Sequence, residues 1–400
     1  MSRTARTAPT APTARTARTA RTAAVAVAAA LGLGLVLPSA GAAAAAPHPR
    51  ASCVTLAPGP DAAALCDAVS GLPDDGATAA QVRVGGHGAW LGTSGVRDLR
   101  SQAPASAHGR FRAGSTSKVV TASLVLQLAA EGRIGLDRPV QEYLPGLFPA
   151  SFAPMTVRQL LNHTSGLRPG ASFGDTTEEM WEHRFDTLTP REVVAGSVAA
   201  GPGPAPGTVQ RYSNIHYVVL GLLVEAVTGD AFAHQAEVRV FRPLGMRDSS
   251  FPVNGDPRIH GPHNRGYERI DGRLTDVTEW NMTDRFAAGD LISSTADLET
   301  LMVSLFRGEL VPRPYLDQMF EIPDVRNEEG EEATIGLGLE RFAVGGREIW
   351  GKTGSRPGYH TVVAATRDLS RTVVYSVNST DARGDGNAIA QRFAFPAFNR

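Results

Sequence analysis

Lysine is almost missing from this sequence. Its 400 residues contain 39 lysine and arginine residues together, but only Lys118 and Lys352 are lysines. Arginine stays protonated at any ordinary pH, whereas a buried lysine can give up its proton. Unless their positions are accidental, the two lysines indicate places where an amine takes part in chemistry, and the sequence around each one decides between these interpretations.

The sequence also has no excess of positive charge. The formal net charge is −1, and the first 46 residues contribute five arginines without any aspartate or glutamate. The rest of the chain therefore carries 34 basic against 40 acidic residues. A mildly acidic body argues against nucleic acid or an anionic membrane as the main partner. Beyond the N-terminal segment no stretch approaches 18 apolar residues, so no further membrane anchor is expected.

The first 46 residues have the order of a secretory signal. Arginines precede an uncharged apolar run at 23–37, which is followed by a proline, a serine and an alanine-rich tract. An uncleaved anchor is the alternative, because 23–46 is nearly long enough to span a bilayer. We expect residues 1–46 to be removed and residues 47–400 to be secreted.

Cysteine is limited to Cys53 and Cys66. Export permits disulfides, so a local disulfide is expected, with two free thiols as the alternative. Neither cysteine lies in a context typical of a nucleophile or a lipid anchor. The sequence predicts no metal site and no cofactor, since His260 and His263 have no carboxylate at metal-ligand spacing.

Lys118 lies three residues after Ser115, at the predicted start of a helix. Apolar residues recur at helical intervals over 119–131, and the run ends at Gly132. Residues three apart share a helix face, so the Lys118 amine can reach the Ser115 hydroxyl. The positive end of the helix dipole favours an ionised serine and a neutral lysine. The spacing S-x-x-K by itself is common by chance.

Lys352 lies in the segment W-G-K-T-G-S at 350–355, within a predicted antiparallel meander. The strands are expected at 333–344, 347–350, 361–366 and 372–377. Gly354 would let a ligand or another backbone approach closely. Residues 346–353 also fit the phosphate-binding pattern G-x-x-x-x-G-K-T, but Pro357 opposes the helix that such a loop requires.

A third segment, Tyr212-Ser213-Asn214, precedes a strongly apolar helix predicted at 216–227. In isolation, a packing tyrosine and a capping asparagine are the favoured explanation of these residues. In the order S-T-S-K, Y-S-N and K-T-G, however, the three segments resemble the penicillin-recognising serine hydrolases. The Tyr-x-Asn form resembles the branch of class C β-lactamases and serine D-alanyl-D-alanine carboxypeptidases, and the likeness is closest to the secreted carboxypeptidases. It runs from about 82 to 400 and includes the segments at 156–167, 288–298 and 336–339.

The resemblance implies an acyl-enzyme mechanism. Ser115 would attack a carbonyl carbon with Lys118 as its base, which requires the pKa of Lys118 to fall from about 10.4 to about 7. Tyr212 would pass a proton to the leaving amine beside the charged Lys352. The oxyanion would be held by the backbone N–H groups of Ser115 and Ser355. The substrate-binding residues implied are Asn214, Thr353, Gly354, Ser355 and Arg356.

One position departs from the family pattern. Carboxypeptidases of this branch often carry an arginine directly after the segment G-L-G-L, where it holds the substrate carboxylate. This chain has Glu340 there, and Arg341 would lie on the other face of a strand. Arg356 is the alternative carboxylate ligand. The departure leaves the terminus of the substrate open, but it does not affect the acyl-transfer chemistry.

The motif order predicts an α/β fold of the α+β type, with an antiparallel sheet flanked by helices and an inserted all-helical lobe. The α/β lobe would comprise about 79–154 and 285–400, and the helical lobe about 155–284. The cleft between the lobes would gather the three motifs. We expect a monomer whose partner is a small-molecule or peptide substrate.

The resemblance implies an exported serine-type D-alanyl-D-alanine carboxypeptidase that acts on peptidoglycan peptides and is acylated by penicillins. A β-lactamase, a promiscuous esterase and a non-catalytic binding protein are the alternatives. The intact Lys118, Tyr212 and Lys352 argue against a binding protein, and K-T-G argues against an esterase. Peptidases and β-lactamases differ in the lifetime of the acyl-enzyme, which the sequence does not reveal.

Overall fold

An eight-stranded antiparallel sheet forms the centre of the protein. The structure, a computed structural model, describes residues 50–384 and 388–398, so the predicted signal segment at 1–46 lies outside the described residues. The longer strands are β1 Ser52–Ala57, β2 Ala77–Gly86, β3 Ala89–Asp98, β4 Glu340–Val344, β5 Arg347–Arg356, β6 Tyr359–Ala365 and β7 Arg371–Ser379. Their order is β1-β3-β2-β7-β6-β5-β4, and the short strand Ala103–Pro104 pairs with β3.

Six helices of eight or more residues surround the sheet in the described part of the chain. They are α1 Ala62–Val69, α2 Ser117–Ala130, α3 Pro190–Ala199, α4 Asn214–Thr228, α5 Thr295–Arg307 and α6 Ala388–Phe398. Shorter helices lie at Val140–Tyr143, Val157–Leu161, Thr177–Glu182, Phe232–Ala236, Arg242–Leu244 and Arg313–Leu316. Among the described residues, no single helix has the length and apolar composition to cross a membrane; α4 and the segment Phe232–Leu244 meet that test only as a pair bent by 82°.

The two faces of the sheet are covered by different helices. Side chains alternate along β7, so Val373 and Tyr375 pack with α1 and α6, whereas Val374 belongs to the larger core that contains α2, α4 and α5. Helix α2 is buried on nearly all sides, and Val120, Leu124 and Leu128 are wholly inaccessible to solvent. The nucleophile candidate Ser115 therefore lies just before a helix that is closely packed in the larger core.

The sheet and its helices have the mixed α/β architecture that the motif order predicts. The strand expected at 333–344 is shorter than predicted, because β4 begins only at Glu340. Before it the chain turns, and the Gly336 N–H donates to the Leu339 carbonyl oxygen at 2.9 Å. Gly338 has a φ of +87°, a conformation that glycine adopts without strain.

The segment at 155–284, predicted to be an all-helical lobe, contains strands as well: Val209–Gln210 pairs with Arg326–Asn327, and a hairpin follows later in the segment. The strands Tyr267–Ile270 and Arg273–Asp276 form an antiparallel hairpin. Its two-residue turn is Asp271-Gly272, and both residues have positive φ, as a type I′ turn requires. This Asp-Gly pair was a signal present in the sequence. The lobe boundaries at 154 and 284 stay a prediction.

The structure joins Cys53 and Cys66 in a disulfide with a Cα–Cα distance of 5.8 Å. The bond connects edge strand β1 to the following helix α1. It is the local cross-link that the spacing of the two cysteines suggested, and it fixes the outermost strand of the sheet to its own covering helix.

Candidate active site

Ser115 lies in a short 3₁₀ turn that leads directly into α2. The turn comprises Gly114–Thr116, so Ser115 precedes the capping residue of α2 by one position. Gly114 has a φ of +55°, which favours glycine. The Ser117 hydroxyl donates to the Gly114 carbonyl oxygen at 2.6 Å and accepts from the Leu291 N–H at 3.0 Å. Through Ser117, the Gly114–Thr116 turn is hydrogen-bonded to the backbone at Leu291.

Lys118 is fully buried, and its amine contacts three oxygens. Nζ lies 2.7 Å from Asn214 Oδ1, 2.7 Å from the Ala288 carbonyl oxygen and 3.1 Å from Ser115 Oγ. A neutral amine has two N–H bonds and one lone pair. If the two shorter contacts take the N–H bonds, the lone pair faces the Ser115 hydroxyl. This arrangement is the one that a base for Ser115 needs.

The electrostatic environment favours the neutral form of Lys118. Burial lowers the pKa of Lys118 to about 8, although interaction with the Tyr212 phenol acts in the opposite direction. The positive charges of Lys352 and Arg285 lower this pKa further. Roughly a tenth of Lys118 is therefore unprotonated at pH 7, compared with less than about a thousandth at the ordinary pKa of a lysine. The sequence predicted this direction and two of its causes, burial and Lys352.

Tyr212 lies between the two lysines. Its ring centroid is 4.9 Å from Lys118 Nζ and 4.8 Å from Lys352 Nζ. Burial would raise the pKa of Tyr212, but the two ammonium groups outweigh it and lower the pKa to about 8. The side chain is 42% exposed, which weakens the effect of burial and leaves the ammonium groups dominant. Tyr212 can therefore reach a substrate and exchange a proton near neutral pH.

Lys352 is buried like Lys118 but is held in the charged form. Its Nζ lies 3.2 Å from Glu340 Oε2 and 3.4 Å from Thr353 Oγ1. Burial would lower the pKa of Lys352, but negative charge on Tyr212 and Glu340 outweighs burial and raises it. The pKa values of the two lysines are thus shifted in opposite directions. Lys118 is shifted toward the neutral form that can act as a base, and Lys352 toward the charged form.

Strand β5 lies directly on the Ser115 turn because two glycines allow it. A Cβ added to Gly354 would lie 2.1 Å from the Ala113 carbonyl oxygen, and one added to Gly114 would lie 2.6 Å from the Ser355 nitrogen. Thr361 from β6 secures the contact, since its hydroxyl donates to the Ala113 carbonyl oxygen at 2.8 Å. The backbone of Ser355 therefore lies beside the Ser115 turn, as an oxyanion hole built from these two residues requires.

The remaining predicted binding residues are less available than expected. The Ser355 hydroxyl donates to the Ala382 carbonyl oxygen, so its proton is not directed at a substrate carboxylate. Arg356 is only 7% exposed; its Nε donates to Met282 Sδ at 3.0 Å, and its Nη2 lies 4.0 Å from Asp284 Oδ1. Burial lowers the pKa of Arg356 to about 10. Asp284 is shared, because its Oδ2 also lies 3.0 Å from Arg285 Nη1.

A cavity of about 330 Å³ opens beside Ser115. Among the described residues its lining includes Ser115, Asn214 and Ser355, but neither Tyr212 nor Lys352. Ser213 and Asn214, which follow Tyr212 in the chain, line the cavity. Its walls combine apolar and charged side chains, namely Pro169, Met180, Val193, Ile215, Asp175, Asp284, Arg285, Arg356 and Arg383.

Sequence reasoning missed three features of the site. Glu340 appeared only as a departure from a family pattern, yet its carboxylate pairs with Lys352. The acceptor from Ala288 is a backbone carbonyl, which no side-chain pattern reveals. His163, whose place in the segment 156–167 suggested only a structural role, packs its ring against Tyr212 with centroids 4.7 Å apart.

The phosphate-loop pattern at 346–353 is a coincidence of spacing. Those residues lie almost entirely in strand β5, and a turn to β6 follows where a phosphate-binding loop would begin a helix. Within residues 50–384 and 388–398, the side chains of His, Cys, Asp and Glu form no group of three or more that could hold a metal ion.

A serine with a buried lysine one helical turn away, and a tyrosine between that lysine and the lysine of K-T-G, define a serine hydrolase of the penicillin-recognising class. The chain belongs to the Beta-lactamase family, whose model matches residues 66–394.

This chain is similar to proteins whose names state different activities. Penicillin-binding protein 4* of Bacillus subtilis (strain 168) is 26% identical over 304 residues, which are 72% of this chain and 64% of that protein. Esterase EstB of Burkholderia gladioli is 33% identical over 190 residues, which are 43% of this chain and 46% of that protein. The alignments thus span between about half and two thirds of these curated relatives. A solved D-stereospecific amidohydrolase from Streptomyces sp. is 31% identical with a TM-score of 0.74, covering 85% of this chain and 99% of that one.

Proposed function

We propose that this serine hydrolase cleaves amide bonds that follow a D-amino acid residue, through an ester of Ser115. The observation that carries the proposal is the contact of Lys118 Nζ with Ser115 Oγ, at 3.1 Å, in a site where Lys118 is driven toward its neutral form. The amide and its stereochemistry are supported by the likeness to the Streptomyces D-stereospecific amidohydrolase, nearly all of which aligns with this chain.

The residues divide the reaction into two steps. Ser115 Oγ attacks the carbonyl carbon while its proton passes to Lys118 Nζ, and the oxyanion is held by the N–H groups of Ser115 and Ser355. The C–N bond then breaks, and the leaving nitrogen takes a proton from Tyr212. Lys118 returns its proton to the Tyr212 phenolate. Water afterwards hydrolyses the acyl ester and releases the acid and Ser115.

The particular substrate that we propose first is a peptide ending in D-alanyl-D-alanine, with penicillin as a mimic that acylates Ser115. Likeness to Penicillin-binding protein 4* supports this choice. A promiscuous esterase is the second candidate, because Esterase EstB is also a relative. Retention of K-T-G in β5 favours the peptidase over the esterase.

We also propose that the mature protein acts outside the cytoplasm as a monomer. The disulfide between Cys53 and Cys66 supports export, because such bonds persist in oxidising compartments. The order of the first 46 residues supports it independently.

Intact mass measurement with benzylpenicillin tests the proposal. A lasting adduct on Ser115 is expected, and the Ser115→Ala variant should carry none. Rapid hydrolysis of penicillin without an adduct would instead indicate a β-lactamase. Neither adduct nor hydrolysis, together with no cleavage of D-alanyl-D-alanine peptides, would overturn the proposed function.

A further inference from the structure

We infer that Glu340 makes this site select substrates whose leaving group is neutral or cationic over substrates that leave with a free carboxylate. The inference rests on the proposed cleavage of amide bonds after a D-amino acid residue and narrows it: a peptide ending in D-alanyl-D-alanine is still cleaved, but more slowly than its C-terminal amide. It concerns the side of Ser115 on which Tyr212 and Lys352 lie.

That side receives the leaving group. Tyr212 is the proton donor to the leaving nitrogen, so the nitrogen and whatever follows it must lie toward Tyr212. The cavity of about 330 Å³ opens toward Asn214 and Ser355 and is not lined by Tyr212. The acyl group therefore occupies the cavity, and the leaving group extends past Tyr212 toward the lysine of β5.

In the ion pair at this end, the anion is more exposed to solvent than the cation. Glu340 stands opposite Gly351 in the register of β4 and β5, and its Oε2 lies 3.2 Å from Lys352 Nζ. The Lys352 side chain is 5% exposed, whereas that of Glu340 is 24% exposed. A substrate carboxylate would therefore meet a lysine that is already neutralised and a carboxylate that is still accessible.

The segments beside Tyr212 carry more negative than positive charge, with four glutamates against Arg211 and Arg326. The strand Val209–Gln210, two residues before Tyr212, pairs with Arg326–Asn327. The loop that follows Asn327 carries four exposed glutamates, at 328, 329, 331 and 332, of which only Glu328 is paired, with Arg211. The cavity that takes the acyl group has three arginines against two aspartates in its lining. The site is thus polarised, with excess negative charge where the leaving group departs.

Two peptides that differ by one charge test this inference. N-acetyl-D-alanyl-D-alanine and its C-terminal amide share the same scissile bond, which releases D-alanine or D-alaninamide. Like charges a few ångströms apart at a partly exposed site interact by about the free energy of a tenfold rate change. We expect kcat/KM for release of D-alaninamide to exceed that for release of D-alanine by about tenfold in low salt. The ratio should shrink as ionic strength rises.

The Glu340→Gln variant tests the cause. It removes the negative charge but keeps the shape, and it also leaves Lys352 without its counter-charge, so both effects favour the acid peptide and lower the preference for the amide. We expect the preference for the amide to fall at least fivefold. The matched control is Glu348→Gln, since Glu348 lies on β5 but accepts from the Trp350 indole N–H instead of pairing with a lysine. This control should keep the native ratio.

The outcomes separate the inference from the proposed function. If the native enzyme releases D-alanine as fast as D-alaninamide, or if Glu340→Gln leaves the ratio unchanged, the inference is wrong while the proposed function stands. If neither peptide is cleaved and Ser115 is never acylated, both are overturned. The native ratio and its salt dependence decide the question even if the Glu340→Gln variant fails to fold.

Discussion

His163 and His216 face each other through their Nδ1 atoms at 2.8 Å, behind the ring of Tyr212. Burial lowers the pKa of His163 well below its usual range and that of His216 to about 3. Both imidazoles are therefore neutral near neutral pH. The Ser213 N–H also reaches His163 Nδ1, at 3.3 Å, so the pair anchors the backbone next to Tyr212 without adding a third positive charge.

Replacing His163 should therefore impair Tyr212 without changing the ionisation of the site. His163→Phe keeps an aromatic ring beside Tyr212 but removes the acceptor for Ser213 and His216. We expect acylation by penicillin to slow by about 10- to 100-fold, a part of what a positioned proton donor contributes. The optimum of the pH–rate profile should stay in place, because neither histidine titrates there. A native rate would show that His163 serves packing alone.

Loss of the disulfide should destabilise the protein without altering the site. Opening a loop of this length lowers the free energy of unfolding by about 3 kcal/mol. The Cys53→Ser variant should show this loss in urea denaturation, and its acylation rate should be native, because β1 and α1 carry no site residue. Reduction of the native protein is the control and should give the same loss. A slower acylation at full occupancy of the folded state would contradict this prediction.

The sequence was sufficient for those parts of the site that depend on spacing along one element. Ser115 and Lys118 are three apart at a helix start, so their contact follows from helix geometry. The lysine of K-T-G was placed on a strand from the alternating residues around it. The disulfide followed from the compartment and from the presence of only two cysteines.

The contacts across elements could not be obtained in this way. The turn at residues 345–346 agrees with the predicted strand ends, but whether Glu340 reaches Lys352 depends on side-chain directions across β4 and β5 that the register alone does not give. His163 and His216 are 53 positions apart and meet because two segments pack together. The start of β4 depended on the turn around Gly338, whose backbone lies against α2 at Ala122.

A methyl group at position 354 should separate β5 from the nucleophile. In the native structure that methyl would lie 2.1 Å from the Ala113 carbonyl oxygen, so Gly354→Ala must push the strand and the Ser355 N–H outward. Loss of one oxyanion donor typically slows catalysis by about 10²–10³. We expect a fall of that size in acylation by penicillin. Gly76→Ala is the control, because its methyl would make only an ordinary contact, 3.6 Å from Asp74 Oδ1. Equal rates for both variants would rule out the close approach as a requirement.

The acylation rate should rise with pH up to about 8. Lys118 accepts the Ser115 proton only when it is neutral, and burial lowers its pKa to about 8. Below that pH the ammonium form predominates and the rate should fall about tenfold per pH unit; above it the rate should fall again, because Tyr212 ionises and can no longer donate a proton to the leaving nitrogen. Because Tyr212 also has a pKa of about 8, the measured optimum belongs to the pair and not to one residue. Stopped-flow acylation by a chromogenic β-lactam between pH 6 and 9 measures this profile.

The Lys118→Arg variant should show no acylation at any of these pH values, since arginine cannot become neutral there. A native rate that declines between pH 6 and 8, or a reactive Lys118→Arg variant, would exclude Lys118 as the base.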